Sequence, residues 1–470
     1  MTEVSDVSQR KQVVSGSIAK TVQMVLGFLV VVYLARILPS SEFGLYFFFL
    51  SIVHVTDGPI TGFASAAQKR FSETGSDRRE IVGAVLILTT VVSAIFFIGA
   101  LIVAEFTRTL NEPSLLGILF FSVVASNAIF RVYLGTGKVG QKNWIEFGRS
   151  VVRSIIQVIL ATAGFGAFGL IVGMSVASAL TVPIILFLFG FRPEVPSIGT
   201  IKSLWAFAKY SMVSGVVSRA SNQIDKVIIG FFLTTVAVSQ YEVTYRLMMP
   251  ALLMTGVIQS GLFSRISNLD SKNESIDKEV SRNLSFSSVL SLPMFFGSVA
   301  IGESLVSTIF GSQYTGLGVL VAMMGLYKVI ESQTSPLLSI LGGLDEPKIL
   351  MYINLATSCL NIVIALFLIQ IYGILGVLFS SIISNLLKYI ILYYSLKSRM
   401  PDLDLFPHYL KIEIISGAGM FAIVTSFNNI FRFSGTAIFG LVGLGVFIYS
   451  IAIFLWIPDF RHFIRQVLSS

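Results

Sequence analysis

The sequence predicts an all-α protein that crosses a membrane many times, and two observations lead to this prediction. Of its 470 residues, 54% are hydrophobic and only 12% are charged, whereas soluble domains contain about 25% charged residues. The apolar residues also occur in runs of about 20, the length that a helix needs to cross ~30 Å of hydrocarbon. A soluble fold would lack polar residues for its surface, and a disordered chain would be far more polar.

Hydropathy places about 14 transmembrane helices along the chain. Several joins between them are short, including Gly164–Phe168, Gly311–Thr315 and Ile371–Tyr372, so the helices they connect are expected to be antiparallel neighbours. The predicted spans lie near 13–37, 43–66, 81–105, 114–134, 144–164, 168–191, 205–233, 238–262, 285–310, 316–342, 349–370, 373–396, 408–430 and 435–457.

The basic residues between the spans indicate an orientation. One side of the membrane receives 21 of them, and the other side receives only Arg36, Arg108 and Arg432. Because loops rich in Lys and Arg stay in the cytoplasm, we expect both ends of the chain to be cytoplasmic and the protein to lie in the inner (cytoplasmic) membrane of the cell. This asymmetry explains most of the net charge of +8 as topology and attraction to anionic lipid. No nucleic-acid partner is therefore expected.

The chain also resembles itself at two offsets. At 207 residues, Phe165–Gly169 aligns with Tyr372–Gly376, and at 195 residues Leu38–Leu50 aligns with Leu233–Tyr245. Both matches place spans 1–6 over spans 7–12 and leave spans 13 and 14 as an addition. Since six is even, the halves form a parallel pseudo-two-fold repeat about an axis along the membrane normal, with a central cavity expected between two six-helix lobes. The predicted parts are an N-lobe at 1–200, a C-lobe at 201–400 and accessory spans at 401–470.

Three sets of segments, spaced along nearly the whole chain, carry a family resemblance. They are Ala35–Leu38 with Glu42–Tyr46, Asp225–Leu233 with Tyr241 and Arg246-Leu247, and Leu341–Gly343 with Tyr372–Gly376. Their spacing resembles that of the polysaccharide flippases of the Wzx type, which belong to the multidrug/oligosaccharidyl-lipid/polysaccharide (MOP) superfamily. The resemblance implies two six-helix lobes plus two helices, a cationic cavity, and alternating-access movement of a polyprenyl- or dolichyl-linked oligosaccharide from the cytoplasmic to the outer leaflet.

Besides Arg36, Lys209 and Lys411, which lie near span ends and are counted with the loops, nine basic residues fall inside the predicted spans. A central Arg or Lys costs ~2.5–3.5 kcal/mol on insertion scales, so each is expected to face a watery cavity or a partner. The nine are Lys20, Arg131, Arg149, Arg153, Arg219, Lys226, Arg246, Lys328 and Lys388.

Four of these residues are predicted to bind the diphosphate that the resemblance implies. Arg149 and Arg153 are four residues apart and share one helix face, and Arg219 lies at a similar depth in span seven. Guanidinium groups bind phosphate through two parallel hydrogen bonds, so these arginines and Lys20 form a candidate cradle. Two alternatives stay open: Arg149 snorkels to the interface, or the arginines form ion pairs with residues such as Glu146 and Asp225.

A second set is predicted to act in gating or as an ion network. Asp57 precedes a proline in the middle of span two, where a kink exposes carbonyls; it is expected either to bind a coupling cation or to pair with a cavity arginine. Lys328 and Glu331 are three residues apart and can neutralise each other. The remaining members are Asp225, Lys226 and Arg246.

No enzymatic or metal site is predicted. His54, His408 and His462 have no metal-ligand spacing, and Cys359 has no partner motif. We therefore expect a monomer without a cofactor, whose partners are the lipid-linked oligosaccharide and membrane lipids, with coupling to H⁺ or Na⁺ left open. Competing hypotheses are a cation-coupled multidrug exporter, a peptidoglycan-precursor lipid flippase and, last, a membrane glycan polymerase, which usually needs a larger outer loop.

Overall fold

The computed structural model of the protein describes residues 2–73, 75–107, 112–272, 280, 283–284, 286–344, 346–398, 408–431, 433 and 435–457. Within these ranges the chain forms helices joined by short turns and contains no strand. The helices are α1 (Thr2–Ile37), α2 (Ser40–Thr56), α3 (Gly58–Ser72), α4 (Arg78–Thr107), α5 (Pro113–Leu134), α6 (Val139–Thr162), α7 (Gly166–Phe189), α8 (Ile198–Phe232), α9 (Thr235–Met248), α10 (Leu253–Ser271), α11 (Ser291–Phe310), α12 (Gly318–Gly343), α13 (Pro347–Tyr372), α14 (Ile374–Lys397), α15 (His408–Phe431) and α16 (Ile438–Trp456).

The predicted fold class is confirmed: the protein is an all-α, multi-pass membrane protein. Among the described residues, nine helices are long and apolar enough to span a bilayer, or ten if the bent pair α2–α3 is one span. The predicted spans near 144–164, 205–233 and 316–342 are not among them, because charged and polar residues interrupt their apolar runs. The predicted span near 238–262 is not among them either, because a 3-10 turn at Met249–Leu252 divides it into α9 and α10. The count of fourteen stays a prediction.

The chain divides into two compact units, Met1–Ser239 and Gln240–Ser470. In the first unit, α6 packs between α1 and α7, α5 contacts α4 and α7, and α8 lies along α3 and α2. In the second unit, α12 contacts α10, α11 and α14, α13 packs on α14, and α15 and α16 pack on α11. The predicted division into three parts, at residues 200 and 400, stays a prediction.

The start of α8 is fastened to the start of α4. The Ser197 hydroxyl caps α8 by accepting a hydrogen bond from the Thr200 N–H, which satisfies one of the unpaired donors at the helix start. The Glu80 carboxylate accepts hydrogen bonds from the Ser197 N–H (2.9 Å), the Ser197 hydroxyl (2.7 Å) and the Thr200 hydroxyl. Arg79 pairs with Glu194 at 2.7 Å. These contacts determine where α8 begins and therefore the position of Arg219 further along it.

Candidate functional site

The second predicted span is broken at Asp57. Helices α2 and α3 meet there at an angle of 52°, and Pro59 occupies the first turn of α3, where its missing N–H costs no helical hydrogen bond. The Asp57 side chain is fully buried. A buried carboxylate needs a partner, and the break directs this one toward α8.

Arg219 on α8 is that partner. Its Nε lies 3.0 Å from Asp57 Oδ1, with the arginine side chain 31% exposed. Thr61 joins the pair, because its hydroxyl donates to Asp57 Oδ1 (3.3 Å) and accepts from Arg219 Nη2 (3.5 Å). His54 Nδ1 lies 3.7 Å from Asp57 Oδ2, too far for a hydrogen bond. Of the two alternatives for Asp57, the structure contains the pairing with an intramembrane arginine.

Glycines allow α3 and α8 to come close enough for this pair. A Cβ atom on Gly62 would lie 2.3 Å from the Ser211 carbonyl oxygen, and one on Gly215 would lie 2.5 Å from the Gly58 carbonyl oxygen. The Ser211 hydroxyl donates to the Gly62 carbonyl at 2.8 Å. Gly58 and Gly62 are four residues apart, the spacing with which small residues let membrane helices approach closely. This spacing was the sequence signal for the contact.

Arg149 on α6 is held by its own neighbours. Its Nη1 donates to Ser126 Oγ (2.8 Å) and Asn127 Oδ1 (3.3 Å) on α5. Its Nη2 lies 3.7 Å from Glu146 Oε1, and its guanidinium lies 5.0 Å from the centre of the Phe130 ring, within cation–π range. The pairing with Glu146 is one of the alternatives that the sequence allows.

Arg153, one turn further along α6, has a different environment. Its recorded contact is a weak one, from Nη1 to Met174 Sδ at 3.9 Å, and no carboxylate pairs with it among the described residues. It is close enough to Arg149 for the two charges to repel each other. An arginine within the predicted span near 144–164 requires water or an anion, and this guanidinium has donors available to a ligand.

Lys20 lies on α1, which packs along α6. The two helices are joined by a hydrogen bond from Gln23 Nε2 to Ser150 Oγ (2.7 Å), and the Asn143 amide donates to the Gly16 carbonyl at 3.3 Å. Lys20 is exposed and lies three residues before Gln23. The structure thus places Lys20, Arg149 and Arg153 on two adjacent helices, whereas Arg219 is paired in the Asp57 cluster. The role of all four in substrate binding stays a prediction.

The predicted gating residues lie in both units. Asp225 and Lys226 are on α8, where Lys226 is buried. Arg246 on α9 pairs with Glu242, with Nε 2.6 Å from Oε1. Lys328 and Glu331 form the pair that their spacing allows, at 2.7 Å, and Lys328 is 2% exposed. Their role in gating stays a prediction.

The Lys328–Glu331 pair is expected to stabilise the second unit. Lys328 Nζ also lies 4.3 Å from the Tyr245 ring centre and 5.1 Å from that of Tyr327. Glu331→Gln would leave the buried ammonium with aromatic partners alone and should cost about 1–3 kcal/mol. Adding Lys328→Met removes both charges and should recover part of this loss in a double-mutant cycle. The measurement is thermal unfolding in detergent. If the stability losses of the two single variants simply add in the double variant, the pairing is contradicted.

Two buried acidic residues escaped sequence reasoning. Glu242 on α9 and Glu413 on α15 are both 0% exposed. Around Glu413 the helix is so apolar that a hydropathy window averages the charge away. Within the described ranges, no group of three or more His, Cys, Asp or Glu side chains could hold a metal ion.

The second unit contains an apolar cavity of about 420 Å³. Helices α11, α15 and α16 form its walls, with aliphatic and methionine side chains facing the space. Its chemistry suits a hydrocarbon chain rather than a sugar, because almost nothing on its walls can hydrogen-bond. The lining includes Val289, Pro293, Met294, Ile301, Met420, Val424, Leu441, Tyr449 and Ile453.

A family model described as "Polysaccharide biosynthesis protein" matches residues 33–318. The chain belongs to this family. Two relatives in Haloferax volcanii have informative names. One, named a probable low-salt glycan biosynthesis flippase, is 25% identical over 357 residues and covers 75% of each chain. The other, named a probable flippase, is 23% identical over 472 residues and covers 96% of each chain.

The solved structure of the lipid II flippase MurJ in an inward closed conformation has the same fold. It matches with a TM-score of 0.78 at 15% identity and covers 95% of this chain and 99% of its own. The resemblance to Wzx-type flippases of the MOP superfamily is therefore confirmed. The relatives' names, a probable low-salt glycan biosynthesis flippase and a probable flippase, are names of transporters, which agrees with the prediction of a transporter rather than an enzyme.

Proposed function

We propose that this flippase-family protein moves a polyprenyl- or dolichyl-(di)phosphate-linked oligosaccharide from the cytoplasmic to the outer leaflet by alternating access, for assembly of a cell-surface polysaccharide or glycoprotein. It acts as a monomer in the inner membrane, with both ends of the chain in the cytoplasm. Arg153 is the observation that carries the proposal. A guanidinium in a predicted span, with no carboxylate partner among the described residues, suits an anionic cargo.

The phosphate is held on the α1–α6 side of the first unit. Arg153 supplies free donors, Lys20 adds an exposed ammonium on the adjacent helix, and Arg149 contributes charge while Ser126, Asn127 and Glu146 hold its guanidinium. Holding Arg149 in place lowers the entropy lost when an anion binds. The apolar cavity beside α15 and α16 supports a site for part of the prenyl chain, so the lipid tail stays in a hydrocarbon environment.

Arg153→Ala is expected to lower the rate of lipid movement about tenfold or more, the equivalent of one lost charge-assisted hydrogen bond. Its melting temperature should remain close to that of the wild type, because Arg153 has so few protein contacts. The assay uses proteoliposomes with a defined lipid-linked glycan and a membrane-impermeant reagent that modifies only outward-facing headgroups. The matched control is Arg192→Ala, an exposed arginine between α7 and α8. Unchanged movement in Arg153→Ala would refute the cradle.

A peptidoglycan-precursor lipid is the second candidate cargo, since the structural neighbour is named a lipid II flippase. Parallel vesicles with a lipid-linked oligosaccharide, a lipid-linked peptidoglycan precursor and a cationic dye separate the hypotheses. We expect movement of the oligosaccharide lipid alone. Movement of the dye that survives Arg153→Ala would instead indicate a multidrug exporter.

A further inference from the structure

Glu413 is a buried acid that the proposed lipid pathway does not use. It lies in the second turn of the transmembrane helix α15, and its side chain is 0% exposed. One carboxyl oxygen, Oε2, accepts a hydrogen bond of 2.5 Å from the Ser288 hydroxyl, just before α11. The other, Oε1, is buried without a hydrogen-bond partner. Half of this polar group is therefore unsatisfied.

The surroundings of Glu413 contain no recorded counter-charge. Ile412 and Met420, on the same helix, belong to a buried apolar cluster that includes Ile301 of α11 and Tyr449 of α16. Tyr449 is the titratable group facing Glu413 from α16, within electrostatic range, and its hydroxyl is also buried without a partner. Across the described part of the chain, no Lys, Arg or His is recorded in an ion pair with Glu413. Lys411, two residues before it, is exposed.

An ionised carboxylate in this place would be expensive. Burying an unpaired charge costs far more than one hydrogen bond returns, and in practice the group binds a proton instead. The same holds within a bilayer, where acidic residues pair, face water or relay protons. With a proton on Oε1, the acid is neutral and gains a donor that the ionised form lacks.

We propose that Glu413 is a proton-binding site, occupied while α15 and α16 are packed on α11 and emptied when that packing opens to water. Ser288 is the donor that stabilises the acid in both states. Because the packed and opened arrangements bind the proton differently, the proton concentration biases the equilibrium between them. Acidic conditions favour the packed arrangement and alkaline conditions the opened one.

The site also has a consequence for transport, and this part rests on the proposed function. Two residues beside this site line the apolar cavity of the second unit. One is Tyr449, which interacts electrostatically with Glu413, and the other is Val289, which follows Ser288 in the chain. Proton release that loosens α15 from α11 therefore changes the walls of this cavity. In a flippase, this links a proton gradient to the passage of the lipid tail.

Infrared spectroscopy tests the proton directly. At about pH 7, the wild-type protein is expected to show a carboxylic acid carbonyl band that Glu413→Gln lacks. The matched control, Glu105→Gln, changes an exposed glutamate in α4 and should retain the band. Ser288→Ala is a milder variant, because it removes the hydrogen bond that the Ser288 hydroxyl donates to Glu413. Since this hydrogen bond stabilises the carboxylate, its loss should keep Glu413 protonated, and the carbonyl band visible, to higher pH. Wild-type and Glu413→Gln spectra that are identical would overturn the proposal.

Thermal unfolding supplies an independent test. Since the folded state holds the proton more tightly than the unfolded chain, stability is expected to fall as pH rises above about 4.3, the ordinary pKa of a glutamate, and to level off once Glu413 has lost its proton in the folded state. Glu413→Gln should remove this pH-dependent fall in melting temperature, and Glu105→Gln should keep it. If the melting temperatures of all three proteins depend equally on pH, the proposal that Glu413 binds the proton is overturned.

The transport consequence is measured separately. Lipid movement in the wild type should respond to an imposed pH gradient, and the response should vanish in Glu413→Gln. An unaltered response in Glu413→Gln would refute the coupling. If no lipid moves in any variant while the carbonyl band behaves as expected, the proposed function fails and the proton site stands.

Discussion

Arg219→Ala is expected to destabilise the first unit and to stop lipid movement. The substitution leaves Asp57 fully buried, with its carboxylate supported by the Thr61 hydroxyl at 3.3 Å. Removing one partner of a buried ion pair costs about 3–5 kcal/mol, and the lower end applies here because Arg219 is 31% exposed. The measurements are thermal unfolding in detergent and headgroup accessibility in proteoliposomes.

A double variant separates the structural role of Arg219 from a role in anion binding. Asp57→Asn with Arg219→Leu removes both charges, so most of the lost stability should return. If Arg219 also contacts the phosphate, lipid movement stays low despite the recovered stability, which is the result we expect. Full recovery of lipid movement would show that Arg219 serves only to hold α8 against α3. The exposed Arg192→Ala variant controls for general loss of positive charge.

Gly62→Leu is expected to have the second large effect, because it separates α3 from α8. Even a methyl group at this position would lie 2.3 Å from the Ser211 carbonyl oxygen and 2.4 Å from the Met212 Cα. Both are backbone atoms that cannot rotate away. Overpacking typically costs about 1–3 kcal/mol, and separation would also break the Ser211–Gly62 hydrogen bond and lengthen the Arg219–Asp57 pair.

The readouts for Gly62→Leu are the yield of folded protein, its melting temperature and lipid movement. Gly62→Ala should show the same effects at smaller size. The matched control is Gly99→Ala on α4, where nothing lies within 4 Å of the added Cβ; it should be neutral or slightly stabilising because alanine favours helices. Wild-type behaviour of Gly62→Leu would show that the close contact between α3 and α8 is unnecessary.

The sequence identified the charged residues more successfully than their partners. The Lys328–Glu331 and Arg149–Glu146 pairs could be foreseen because their members are three residues apart on one helix. Asp57 could be recognised as exceptional from the proline that follows it. Its partner Arg219 lies 162 residues away along the chain, and residues so far apart become neighbours only through the packing of α3 on α8.

Distance along the chain also explains why the sequence did not single out Glu413. A lone glutamate in an apolar run barely alters mean hydropathy, so Glu413 is hidden within a helix that still qualifies as a span. Its unusual chemistry comes from Ser288, 125 residues earlier, and from the absence of a recorded counter-charge around it in the described structure. Neither property is encoded near position 413.

By itself, the sequence determined that this is an all-α membrane protein, because the length and apolarity of each helix are local properties set by the thickness of the bilayer. It also identified the charged residues that lie within the apolar segments. Only the tertiary structure decided what each charge meets: Asp57 for Arg219, Glu146 and two polar side chains for Arg149, and no carboxylate for Arg153 among the residues that the structure describes. The energy of a charge in a membrane depends on atoms within a few ångströms, and these come from helices distant in sequence.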